Sequence, residues 1–346
     1  MSNLQIGLAI AGGVLLAGVV AHGAWSARRN APRQALPEPD GDLSDAGPRE
    51  PVMGDHVSDT RPMVLSSTAR RSAMDSLIDV IATMTLDGPT SQVSGDAAIA
   101  AMPSTRRAGS KPFAIEGYNL NTQTWEVPAP GQRYGSFQSG VQLANRSGAL
   151  NDIEYSEFVV KTQAFADAIN ATPEFPEMLE EVARARELDQ FASAHDAQLG
   201  FTIRARNASW SPGYVQQNAS RLGFVAGAIP GRMVLPASQE GLAPVLVLSF
   251  DSQAAMADDP AQSAIRDISL HLDVAQVDRG EKPFERMREV ATALAHTMDG
   301  VVTDDNGQLL THQTMDVIGM ELQNLYDTLE QRDLAAGSML ARRLFA

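Results

Sequence analysis

Cysteine is absent from the 346 residues, which excludes disulfides and cysteine-based metal or redox chemistry. Basic side chains are scarce. The 27 Lys and Arg stand against 42 Asp and Glu, a formal net charge of −15. Phosphate backbones are held by basic faces, so this balance excludes nucleic acid as a partner. Anionic lipid repels such a chain too, so membrane attachment has to come from apolar residues. Catalytic signatures are also missing. There is no glycine-rich phosphate loop and no His-Glu-x-x-His. Around Ser139, the glycine two positions earlier that a nucleophile elbow needs is replaced by Phe137. No catalytic residue, cofactor or metal site is assigned.

Charge is missing from the N-terminus as well. Nothing before Ile6 is ionised except the chain's own amine, whereas a secretory leader opens on basic residues. From Ile6 to Trp25 the chain is apolar or small apart from His22. A helix of that length measures roughly 30 Å, about one hydrocarbon core. Arg28, Arg29 and Arg33 follow, with Trp25 where an interfacial aromatic would sit. Lys and Arg mark the cytoplasmic side. Residues 1–29 are thus expected to be one uncleaved transmembrane anchor, marked by Ile6, Leu15, Trp25, Arg28 and Arg29. The N-terminus would be periplasmic and the remainder cytoplasmic, at the cell inner membrane. The competing reading is a cleaved leader with its site in Ala21–Trp25. Ala9, Gly13, Ala17 and Ala21 form a ridge of small side chains every four residues. Such a ridge supports weak self-association, or simply reflects small residues common in spans.

Residues 30–72 carry Pro32, Pro37, Pro39, Pro48, Pro51 and Pro62, scattered acids and almost no large apolar residue. They cannot offset their chain entropy by burial and are expected to be a disordered tether. At about 5–6 Å times the square root of length, ~40 residues would reach some 35 Å.

Globular patterning begins near Asp75. Residues 77–87 read as a strand and 95–102 as a helix, followed by strands in 111–148. Amphipathic helices follow at 154–170 and 177–194. Beyond residue 197 the pattern sharpens. Leu199, Phe201 and Ile203 alternate, and Ser211-Pro212 opens a short helix. Arg232–Pro236 and Pro244–Phe250 are short strands. In 268–277, Ile268, Leu270, Leu272 and Val274 point inward while Ser269, His271 and Asp273 point outward. Phe284, Met287, Val290, Leu294 and Met298 mark a helix over 283–298, with Gly300 at its stop. Residues 301–310 read as a hairpin around Asp305-Asn306-Gly307, and Thr311 caps a last helix. One apolar face per strand and one apolar stripe per helix imply an α+β fold. It is an antiparallel sheet of split β-α-β type with helices packed on one face, preceded by the transmembrane helix and the linker.

The layout of anchor, basic residues and Pro/acid-rich linker resembles the ZipA family of bacterial cell-division proteins. So does the run LHLDV…PFERM…A…LA…MDGVVTDDNGQLLT with its capped helix, most closely over 268–312. The resemblance covers the anchor and roughly residues 197–335. It implies a non-enzymatic domain that binds the C-terminal tail of the tubulin-like protein FtsZ along an apolar cleft on the helix-free sheet face. A gapless match from Gly223-Phe224 through Ser249 places Ile229, Val247, Ser249 and Asp251 on that face, and the strand at 268–277 adds Ser269 and His271. Well-known members carry methionines at Ile229 and Asp251 and a phenylalanine at His271, so the implied face is more polar here.

The implied function is a septal membrane tether for FtsZ polymers. The alternatives are a membrane-anchored scaffold for another septal protein or an uncharacterised hydrolase. Residues 73–196 are either an α/β extension or a degenerate copy of the 197–335 module. Residues 336–346 are a tail whose ARRLF run is either an amphipathic contact for the partner or membrane or, as expected here, a frayed terminus. His271 and Asp273 face one way but lack a third metal ligand, and Asp304-Asp305 suit a turn better than acid–base work. If the small-residue ridge drives association, Gly13→Leu lowers the signal of a membrane dimerisation reporter. An unchanged signal assigns the ridge to composition alone.

Overall fold

Period-two strands and period-3.6 helices build two units in this chain, whose computed structural model describes residues 32–35, 74–88, 92–260 and 262–346. The N-terminal unit comprises residues 74–196 with 339–346, and the C-terminal unit residues 197–338 with 32–35. The expected span, with Ile6, Leu15, Trp25, Arg28 and Arg29, lies outside the described residues. Among those described, no helix is long and apolar enough to cross a membrane.

In the N-terminal unit the elements run β1 (Asp79–Leu86), α1 (Gly95–Ala101), β2 (Arg107–Ala108), β3 (Lys111–Asn119), β4 (Arg133–Gln142), α2 (Asp152–Ala168), β5 (Ala171–Glu174) and α3 (Met178–His195). The sheet order is β2-β3-β4-β1-β5, all antiparallel, with short strands Val93–Ser94 on β4 and Thr124–Glu126 on β3. A capping box starts α2. Asn151 accepts from the Ile153 and Glu154 amides, and Glu154 reaches back to the Asn151 amide. This fixes α2 over the sheet, where Phe158 stacks edge-on against Phe113 and Phe165 against Phe137. Each such buried ring contributes about 1.5–3 kcal/mol.

The C-terminal unit runs β6 (Gln198–Ala205), α4 (Pro212–Ser220), β7 (Val225–Ala226), β8 (Arg232–Leu235), β9 (Leu246–Ser249), β10 (Asp267–Asp273), α5 (Pro283–Met298), β11 (Gly300–Thr303) and α6 (His312–Glu330). Its sheet order is β7-β8-β9-β10-β6-β11, again antiparallel throughout. Phe201, Ile203, Met233, Leu235, Leu246, Leu248, Ile268, Leu270 and Leu272 are buried, with the Phe201 ring edge-on to Phe284 of α5. The expected strand 268–277 ends early. After Asp273 the chain tightens into a 3-10 turn at Val274–Gln276 that buries Val274 and Ala275. The return half of the expected hairpin is reduced to one bridge, Thr303 to Leu309. Helix α5 stops at Asp299, which itself takes the left-handed conformation at φ 57°. Gly300 serves packing instead: a Cβ there would lie 2.9 Å from Ile203 Cγ2 and 3.3 Å from the Trp210 ring.

Without the edge strand β7, the order β8-β9-β10-β6-β11 matches β2-β3-β4-β1-β5 strand for strand. The helices fall at the same points of the two chains. Two long strands, β3 and β4, precede α2, as β9 and β10 precede α5. The two units thus share a strand order and helix placement.

Two further expectations need correction. Residues 32–35 of the expected disordered tether are seated on the C-terminal unit. The Arg33 amide donates to Ser209 O at 2.7 Å, and the Ser211 amide donates to Arg33 O at 2.9 Å. The Arg33 guanidinium donates to Asp299 Oδ2 at 2.9 Å and to Met298 O at 3.3 Å. The fully buried Trp210 supports this corner, its Nε1 donating to the same Met298 carbonyl at 2.8 Å. Backbone groups sealed under a buried indole have to find partners, and Arg33 supplies them. The tail does not fray either. It forms α7 (Met339–Leu344), with Leu344 and Phe345 buried in the N-terminal unit.

In the C-terminal unit one buried side-chain polar group among the described residues is unsatisfied. The Tyr326 hydroxyl of α6 has no hydrogen-bond partner, and Arg279 lies 5.6 Å over its ring. Burial pushes its phenol up to about 12. The unfolded phenol ionises near pH ~10, so stability falls between about pH 10 and 12. Tyr326→Phe is expected to stabilise the unit by about 1 kcal/mol in urea unfolding and to flatten that alkaline loss.

Candidate peptide-binding groove

Alternation on β6, β8, β9 and β10 sends one set of side chains under α5 and the other to the opposite face. The pairing register arranges this second set in rows across the sheet. One row runs Val225, Val234, Val247, His271 and Gly200. The next runs Arg232, Ser249, Ser269, Thr202 and Thr303. On the other side of the first row, Asp273 stands opposite Gln198. All are exposed or half-exposed except the buried Thr303. A groove of about 660 Å³ lies over part of this face, lined by Arg232, Val247, Ser249, His271, Gly200 and Asp273, with Pro244 and Val245 from the β8–β9 loop and Asp305 from the hairpin at its rim.

Asp305 leans over a glycine. A Cβ on Gly200 would lie 2.8 Å from Asp305 Oδ1, so a larger residue there would push that carboxylate aside. Its neighbour Asp304 is consumed by the turn. Its carboxylate accepts from the Asn306 and Gln308 amides at 2.9 and 2.7 Å, and Gly307 takes φ 79°. The pair therefore divides into a turn residue and a groove residue, not two facing carboxylates.

Charge is distributed asymmetrically. Arg232 is two rows and two strands from Asp273, about 13 Å along the strands and about 10 Å across them. Between these corners lie Val234, Val247 and the exposed imidazole of His271, while Val225 stands beyond β8 on the edge strand. Such a surface suits a short amphipathic peptide. Apolar side chains would settle on the valine row, a basic end near Asp273 and Asp305, and an acidic end near Arg232.

Of the expected residues, Val247, Ser249 and His271 line the groove, and Ser269 shares the Arg232 row. Ile229 does not. It sits in the turn between β7 and β8 with its side chain exposed. Asp251 lies past the end of β9, where its carboxylate caps the one-turn helix Ser252–Ala255 by accepting from the Gln253 amide at 2.8 Å. A gapless frame extends strand alternation through residues that the structure places in turns, so both positions leave the face. The expected set omits Val225, Val234, Arg232, Gly200, Asp273 and Asp305. Alternation with Met233 and Leu235 already marks Arg232 and Val234 as outward, whereas Asp305 reaches the groove only through the tertiary fold.

Residues 248–321 match the family described as ZipA, C-terminal FtsZ-binding domain. The matched stretch begins in β9 and runs through β10, α5 and β11 into α6, and it contains the 268–312 run on which the resemblance rests. Over these residues the chain is similar to the ZipA family. FtsZ binding is what that description states of the family. No curated protein matches the chain.

Proposed function

We propose that the chain is a single-pass inner-membrane tether whose ZipA-type unit captures the C-terminal tail of FtsZ along the helix-free sheet face and holds FtsZ polymers at the septum. The observation that carries this reading is the outward row Val234, Val247 and His271, bracketed by Arg232 and by Asp273 with Asp305, in a unit part of which matches an FtsZ-binding domain family. One shallow groove gives modest affinity. A polymer presents many tails to many tethers, and that multiplicity retains it. The apolar run 6–25 and the arginines after it support insertion with the two units in the cytoplasm.

The seating of Arg33 changes what the tether does. Only Asn30, Ala31 and Pro32 separate Arg29 from Arg33, a step of at most about 14 Å. With Arg33 held on Asp299 and Trp210, the FtsZ-binding unit lies close against the bilayer, not at the end of a long leash. Residues 36–73 then connect the two units to each other. A groove held near the membrane restricts captured tails to a thin layer beneath it, which raises their effective concentration.

Two measurements test these statements on the full chain in nanodiscs. Val247→Glu is expected to weaken binding of an FtsZ tail peptide by about tenfold or more without lowering the unfolding temperature. Unchanged affinity removes the sheet face from the proposal. Arg33→Glu places a carboxylate beside Asp299. It is expected to leave peptide affinity intact while lowering energy transfer between a label on the C-terminal unit and the lipid. Unchanged transfer means that the seating does not set the distance.

A further inference from the structure

Gly337 is held by the C-terminal unit, its amide donating to Ala275 O at 2.9 Å. Two residues later the chain joins the N-terminal unit as α7, and what it meets there is specific. Arg343 Nη1 and Nη2 donate to Asp79 Oδ2 and Oδ1 at 2.9 and 2.6 Å, a bidentate pair on a carboxylate that is only 2% exposed. Gln142 Nε2 donates to Arg343 O at 2.8 Å, and the Arg146 amide to Ala346 O at 3.3 Å. Leu344 and Phe345 are each 1% exposed. Asp79 and Gln142 stand opposite each other in the β1–β4 ladder. By alternation Gln142 points away from α2, because Phe137 and Ser139 of the same strand meet Phe165 and Thr162 of that helix.

The tail is additional to the fold. From β1 to α3 the N-terminal unit already reproduces the C-terminal unit's strand order and helix placement, and no element of the shared order corresponds to α7. More than 140 residues separate α3 from the tail. A bidentate arginine, a bonded main chain and two adjacent apolar anchors are the parts of a linear peptide motif engaging a receptor.

We propose that the N-terminal unit is a second peptide-binding module of the same fold, and that its ligand is the chain's own C-terminal segment, Met339–Ala346. The site reads a basic residue followed by two apolar ones, Arg343-Leu344-Phe345. Asp79 selects the guanidinium, and Gln142 and the Arg146 amide fix the main chain. Peptides carrying a basic–apolar–apolar sequence are the class it accepts, and the covalently attached copy outcompetes them by its local concentration. This inference does not depend on the FtsZ reading of the other unit.

The test uses the full chain stopped after Ser338 and a labelled synthetic peptide of residues 337–346, followed by fluorescence anisotropy. The truncated chain is expected to bind the peptide, and the intact chain to bind it at least about tenfold more weakly because its site is filled. A peptide carrying Arg343→Glu should lose binding by a similar factor. A folded truncated chain that ignores the peptide, or equal binding by both chains, overturns the proposal. Should truncation prevent folding, Arg343→Ala in the intact chain decides by hydrogen exchange. Loss of protection confined to 339–346, with β1 and β4 still protected, is the expected result. Loss across the whole N-terminal unit makes the tail a core element and overturns the docking claim.

Discussion

The C-terminal unit depends on one packing constraint, the fit of a period-3.6 stripe on α5 against the period-two faces of β6 and β10. Phe284, Met287, Val290, Leu294 and Met298 occupy one side of the helix and are all buried. Ile268, Leu270, Leu272, Phe201 and Ile203 complete the other half of that layer. A strand shows each side chain to one face only, so committing these residues to the core commits their neighbours to the opposite face. Ser269, His271, Asp273, Gly200 and Thr202 are outward for that reason alone. The groove is the remainder of the core, and shifting either strand by one residue would destroy both together.

Where α5 ends, the same constraint creates the seat for Arg33. The close approach that only Gly300 permits brings Ile203 and Trp210 against the start of β11. It leaves the Met298 carbonyl and the Asp299 carboxylate at the helix end, where a cation is favoured. The Trp210 indole takes part of that demand and the Arg33 guanidinium the rest. A short segment that carries no fold of its own, residues 32–35, is thereby fixed on the C-terminal unit.

The two units also show how much variation one topology absorbs. In one, the helix facing the sheet starts with an asparagine capping box; in the other it starts with a left-handed lysine followed by proline. One sheet carries an extra edge strand, β7, and the other takes its additional partner from the end of the chain. Strand order is shared although burial differs, since Phe137–Gln142 of β4 is buried on both faces whereas β10 is buried on one.

Local pattern determined a great deal here. The helices near 154–170, 177–194 and 283–298, the outward set of β10, the Asp304–Gly307 turn and the ZipA resemblance over 268–312 are all legible in residue order, because each depends on neighbours within a few positions. What sequence spacing could not reach depends on distant partners. Ile229 and Asp251 left the face because turns interrupt the strand frame, and Asp305 joined it because Gly200, more than a hundred residues earlier, has no side chain to exclude it. The seat of Arg33 and the docking of Arg343 on Asp79 join residues 264 or more apart in the chain, and no local periodicity encodes such pairs. Pattern along the chain fixes which side of an element is apolar. Only the packed structure decides which distant charge or carbonyl that element meets.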